Sequence, residues 1–88
     1  MASYSLVLKS SVEKDLRPLP RPILKRVWAK VQALSQEPIP RQSTKLAGAV
    51  HLYRLRVGEY RIIYAVDHDA RQVTVHYVRH RREAYRGL

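Results

Sequence analysis

The chain has 88 residues, of which 17 are Lys or Arg and seven are Asp or Glu, for a formal charge of +10. That length suits one domain over residues 1–88 with a small core, and leaves little room for a cofactor buried in a large α/β crevice. There is no cysteine, which excludes disulfides, Cys-ligated zinc and a thiol nucleophile.

No apolar run approaches the ~20 residues of a membrane-spanning helix. Residues 1–8 are too short to make a signal peptide, so a cytoplasmic location without a membrane partner is expected. The charge asks for a polyanionic partner: nucleic acid first, an acidic protein second, a membrane surface third. Its distribution sharpens the expectation. Residues 1–40 hold seven basic and three acidic side chains, and residues 41–88 hold ten and four, nine of those ten being Arg. Guanidinium groups grip phosphate bidentately and stack on bases, so the second half reads as a phosphate-recognition surface.

In chain order, residues 4–8 form a short β-favouring run. Ser10 and Glu13 have capping-box spacing, opening a helix that carries Val12 and Leu16 on one face and stops before Pro18. Pro20 or Pro22 suits the first turn of a second helix. Its apolar stripe is Ile23, Val27, Val31 and Leu34, widened by Leu24 and Trp28, and Pro38 and Pro40 end it. The two helices make a hairpin joined at Leu19. Residues 41–50 read as a loop.

Strands follow. In residues 52–57, Tyr53, Leu55 and Val57 alternate against Arg54 and Arg56. Gly58-Glu59 is a tight hairpin turn. In residues 60–66, Ile62, Tyr64 and Val66 oppose Arg61 and Ile63. After a turn at residues 67–70, residues 72–79 place Val73, Val75 and Tyr77 against Thr74, His76 and Val78. Residues 81–85 suit a helical turn. The order β-α-α-β-β-β predicts an α+β fold, a helical hairpin on one face of a four-stranded, mainly antiparallel sheet. Arg54, Arg56 and Arg61 should then share the open face.

Two groups of residues carry chemistry. The first is the Arg54, Arg56 and Arg61 cluster, whose charges repel one another unless an anion lies among them; the plain alternative is a solvated strand exterior. The second is the run from Arg79 through His80, Arg81, Arg82 and Glu83 to Tyr85 and Arg86, which combines cations with proton-transfer groups as phosphodiester chemistry requires. A basic tail is the alternative there. Of the four histidines, His51 and His80 lie at strand ends near the arginines, and His68 reads as a solvated turn residue. Glu59 reads as an ordinary turn residue. No metal site and no cofactor is expected, because no histidine pair has ligand spacing and no carboxylate cluster completes a set.

The segment from Tyr53 to Tyr64, YRLRVGEYRIIY, together with VRHRREAY at residues 78–85 and Lys45-Leu46-Ala47-Gly48, resembles the signature of the RelE/ParE toxin superfamily over essentially the whole chain. The superfamily holds ribosome-dependent endoribonucleases and gyrase poisons. Carried over by motif, the nuclease site becomes Arg54, Arg56, Arg61, Arg81 and Tyr85, with RNA contacts expected from Lys45, Arg79, Arg82 and Arg86. All five site positions hold competent residues, which favours a toxin that cuts mRNA in the ribosomal A site; a gyrase inhibitor or a non-catalytic RNA-binding module is the alternative. The family often has Lys where this chain has Arg54 and Arg56. Arg does not surrender its proton, so the base falls to Tyr85 first and His80 second. The resemblance also implies an acidic RelB-like antitoxin, with the ribosome and mRNA as further partners, and a heteromeric toxin–antitoxin complex.

Overall fold

The period-two pattern after residue 51 and the helical stripe before residue 35 assemble into two layers. The computed structural model describes residues 3–48 and 51–82. Its elements are β1 (Ser5–Leu8), α1 (Ser10–Leu16), α2 (Arg21–Ala33), β2 (Ser43–Lys45), β3 (Leu52–Val57), β4 (Tyr60–Asp67) and β5 (Gln72–His80). The α+β class and the helical hairpin on one sheet face are as expected.

The sheet has five strands, in the order β1-β5-β4-β3-β2, rather than four. The extra strand is β2, which lies within the stretch read as a loop. It pairs antiparallel with β3, Thr44 opposite Arg54, and so supplies partners to a strand edge that would otherwise be bare. β1 runs parallel beside β5, and the other pairs are antiparallel.

The core lies between the helices and one sheet face. Val12, Val27, Val31 and Leu34 from the helical half meet Leu55, Val57, Ile62, Tyr64, Val66, Val73, Val75 and Val78 from the strands. The expected α2 stripe is therefore real, although Trp28 at its margin keeps 38% of its surface exposed. Pro22 occupies the first turn of α2, where its missing N–H costs nothing. Tyr64 is fully buried; its hydroxyl donates to the Pro38 carbonyl at 2.9 Å and its ring stacks on Tyr53.

Ser10 does not cap α1. The position before the helix is Lys9, and no side chain caps it. The reason is that β1 pairing runs one residue further, with the Lys9 N–H donating to the Val75 carbonyl at 3.0 Å, so the chain is still extended at Lys9.

β5 departs from simple alternation. Ile63 faces Tyr77 while the next residue, Tyr64, faces Val75, so His76 is one residue too many. This β-bulge turns the rest of the strand over. Val78 goes to the core, and Tyr77 and Arg79 go to the open face, reversing the expected places of Tyr77 and Val78. Helix α1 satisfies the backbone groups around the bulge. The Ser11 hydroxyl donates to the His76 carbonyl at 2.8 Å, and the Val78 N–H donates to Asp15 Oδ2 at 3.0 Å. Burial, aided by Lys9, pushes the His76 imidazole below its ordinary pKa.

Because Val78 is 2% exposed, losing the carboxylate strands a buried donor. Asp15→Ala should cost about 1–3 kcal/mol of stability in urea denaturation. Asp15→Asn, which keeps an acceptor oxygen, should lose less. An unchanged midpoint in Asp15→Ala would mean the bulge does not depend on this contact.

Candidate nucleic-acid interface

The two-residue turn Gly58-Glu59 closes the β3–β4 hairpin and fixes its register. Gly58 has φ +57, a left-handed conformation that glycine adopts without a Cβ penalty. With Val57 opposite Tyr60, the register places Arg56 directly opposite Arg61, and Arg61 in turn lies opposite Arg79 on β5. The result is a row of three guanidinium side chains crossing three adjacent strands. One row further along the sheet stand Arg54, Ile63 and Tyr77. Arg54, Arg56 and Arg61 thus share the open face as alternation predicts.

Like charges directly opposite each other on a sheet are unfavourable, and among the described residues neither row contains a carboxylate. Local contacts moderate the repulsion. Arg61 donates to the carbonyls of Tyr60 at 3.1 Å and Gly58 at 3.3 Å, which folds its side chain toward the turn. The Arg79 guanidinium carbon lies 4.2 Å from the centre of the Tyr77 ring, a cation–π contact. Ile63, between Arg54 and Tyr77, is fully buried yet stands apart from the main core. Such a surface can hold a phosphate among its guanidinium groups and can take the face of a base against Tyr77.

The other sequence candidates are dispersed. Arg81 leaves the end of β5 tied to the hairpin turn: its N–H donates to the Glu59 carbonyl at 2.7 Å, and its Nε meets Glu59 Oε2 at 3.0 Å. Glu59 is therefore the ion-pair partner of Arg81. His80 lies opposite Tyr60, on the helix side of the sheet and across it from the guanidinium row, with its ring edge-on to Tyr60 at 5.5 Å. The Arg82 N–H donates to His80 Nδ1 at 3.3 Å. Lys45 stands opposite Tyr53, out of phase with Arg54 on the neighbouring strand. Tyr85, Arg86 and most of the helical turn expected at residues 81–85 lie outside the described residues.

Two histidine expectations need correcting. His51 is not near the arginines. It precedes Leu52 at the far end of β3 from Arg56, where it helps line a cleft of about 580 Å³ with Ala65, Asp67, His68, Gln72 and Thr74. No arginine of the row lines that cleft. His68 is not merely solvated, since its Nδ1 hydrogen-bonds the Tyr4 hydroxyl at 2.8 Å. Alternation alone puts Tyr77 with Val73 and Val75, because a bulge is invisible in an alternating pattern.

A helical hairpin on a mixed sheet whose other face carries a row of arginines defines a small basic α+β protein. The family model for the ParE toxin of type II toxin–antitoxin systems, parDE, matches residues 6–85, and the chain belongs to this family within the RelE/ParE toxin superfamily. It is 30% identical over 87 residues to "Putative toxin RelE1" of Methanocaldococcus jannaschii, covering 96% of this chain and 97% of that protein. The structure is similar to the archaeal RelE–RelB complex of Pyrococcus horikoshii, with a TM-score of 0.81 and 31% identity over 93% of this chain and 99% of the other. It is also similar to the toxin–antitoxin complex RelBE2 of Mycobacterium tuberculosis, with a TM-score of 0.77 and 29% identity over 89% and 98% of the two chains.

Proposed function

We propose that this toxin is a cytoplasmic, ribosome-dependent endoribonuclease formed by one domain over residues 1–88. The observation that carries the reading is the row Arg56–Arg61–Arg79, with Arg54 beside it, on an open sheet face. A phosphate among these groups relieves their mutual repulsion and is itself polarised for attack. The reaction is attack of the ribose 2′-oxygen on the adjacent phosphorus. The 2′-oxygen gives up its proton to a base, the new P–O2′ bond forms, and the bond to the 5′-oxygen breaks and takes up a proton. The products are a 2′,3′-cyclic phosphate and a 5′-hydroxyl end.

Arg61 holds the phosphate, with Arg54 and Arg56 in support. Arg81 serves the leaving oxygen, for which it must exchange its Glu59 contact for the substrate. The base is Tyr85. The place of His80 on the helix side of the sheet favours that order of candidates. A phenol base needs its pKa lowered, and a guanidinium charge beside it would act in that direction. Lys45, Arg79, Arg82 and Arg86 contact RNA.

The partner in the resting state is an acidic RelB-like antitoxin. The P. horikoshii and M. tuberculosis relatives, solved as toxin–antitoxin complexes, support this, as does the +10 charge. A flexible acidic chain covers such a surface by folding on binding.

A purified translation reaction tests the reading by mapping RNA ends with and without ribosomes. Cuts within the message that require ribosomes are the expected result, and Tyr85→Phe should slow them far more than it weakens ribosome binding. An intact message would reject the nuclease. The match to a ParE model makes gyrase poisoning the second reading, and a supercoiling assay on the same preparation detects it.

A further inference from the structure

Tyr77 has no role in the chemistry above, yet it is the only tyrosine that the described strands present on the open face. Its placement there is not incidental. It depends on the extra residue His76, and that residue's neighbours are held by Ser11 and Asp15 of α1. The same bulge delivers Arg79, whose guanidinium lies over the Tyr77 ring at 4.2 Å. Both side chains remain partly exposed.

The pair differs in kind from Arg61. The Arg61 guanidinium is turned toward carbonyls of the hairpin turn, whereas Arg79 is laid on an aromatic face. Phenol rings and guanidinium planes are the two surfaces on which proteins stack unpaired bases, and such stacking tolerates any base because each has a π face. The Arg56–Arg61 pair and the row that holds Tyr77 are two residues apart along the strands, about 6.6 Å. That distance is comparable with the reach from a phosphate to its own base. A nucleotide with its phosphate at Arg56 and Arg61 would therefore bring its base over the Tyr77–Arg79 pair.

We infer that the Tyr77–Arg79 pair is a stacking platform for the nucleobase beside the phosphate held by the guanidinium row, so that single-stranded RNA is gripped by base and phosphate together. The inference deepens the nuclease reading and rests on it for the identity of the ligand. Tyr77 makes and breaks no bond. It orders the flexible strand so that one phosphate stays on the row.

The test measures binding of a short fluorescent single-stranded RNA and of the same ribose–phosphate chain lacking its bases. The wild-type protein should bind the complete RNA about tenfold more tightly than the abasic one, the scale of one stacked base. Tyr77→Leu should lose about that factor on the complete RNA and nothing on the abasic chain. Tyr77→Phe, which keeps the ring, should bind like wild type. Equal affinity of the wild-type protein for the two chains would overturn the platform, and that comparison does not depend on any variant folding. An equal loss by Tyr77→Leu on both chains would also overturn it, by assigning Tyr77 a purely structural role. The two readings fail separately. Base-dependent binding through Tyr77 with no cutting of translated message removes the nuclease and keeps the platform. Cutting at the wild-type rate by Tyr77→Leu, with base-independent binding, removes the platform and keeps the nuclease.

Discussion

Arg61→Ala should lower the rate of message cleavage in a purified translation reaction by about a hundredfold, the scale of one electrostatic donor removed from a transition state. Arg61 is the middle member of the guanidinium row, with Arg56 opposite it on one side and Arg79 on the other. The side chain is only partly buried, and the carbonyls it contacts at Gly58 and Tyr60 lie at a turn open to water, so the fold should survive the change. Retained stability in urea together with the rate loss would place the effect in the chemistry. A loss below threefold would contradict the role assigned to Arg61.

The second large effect is on stability. Tyr64→Ala should cost about 3–5 kcal/mol in urea denaturation, as for other large aromatic truncations in a core. Tyr64 is fully buried, stacks on Tyr53, and donates its hydroxyl to Pro38 in the segment that leads from α2 to β2. The substitution removes core volume and also leaves a carbonyl without its donor. That is a large share of the roughly 5–15 kcal/mol that holds a small domain folded. A loss under about 1 kcal/mol would mean the site refills by collapse.

Tyr64 also carries a pH signature. Burial pushes its phenol from the ordinary 10.0 up to about 12. The folded state therefore keeps a proton that the unfolded state gives up. Stability from this group is full below pH 10 and is lost as pH rises from 10 toward 12, by about 2–3 kcal/mol in all. Tyr64→Phe cannot titrate. The difference between the two proteins, measured at pH 8 and pH 11 in urea, isolates this contribution from the lysines that titrate in the same range.

The parts that were legible in the sequence are those whose cause is local. The apolar residues of α2 recur with helical period and are bracketed by Pro22 and Pro38, and Val27, Val31 and Leu34 are buried as that pattern implies. The β3–β4 turn is legible because Gly58 supplies a positive φ between two alternating runs. The parts that were not legible depend on a neighbour distant in sequence. Ser43–Lys45 has no apolar alternation of its own and is a strand only because the edge of β3 offers it backbone partners. Ser10 fails to cap α1 because β5 holds Lys9 in strand geometry.

By itself, the sequence determined that Arg54, Arg56 and Arg61 face the same way. Period two belongs to each single strand, and a two-residue turn leaves the hairpin one register. Only the tertiary structure decided that Arg79 completes the row with Tyr77 beside it, while Arg81 is turned aside to Glu59. That outcome hangs on one extra residue, His76, which reverses the strand beyond it. The backbone groups around the bulge find partners in Ser11 and Asp15 once α1 is packed against β5.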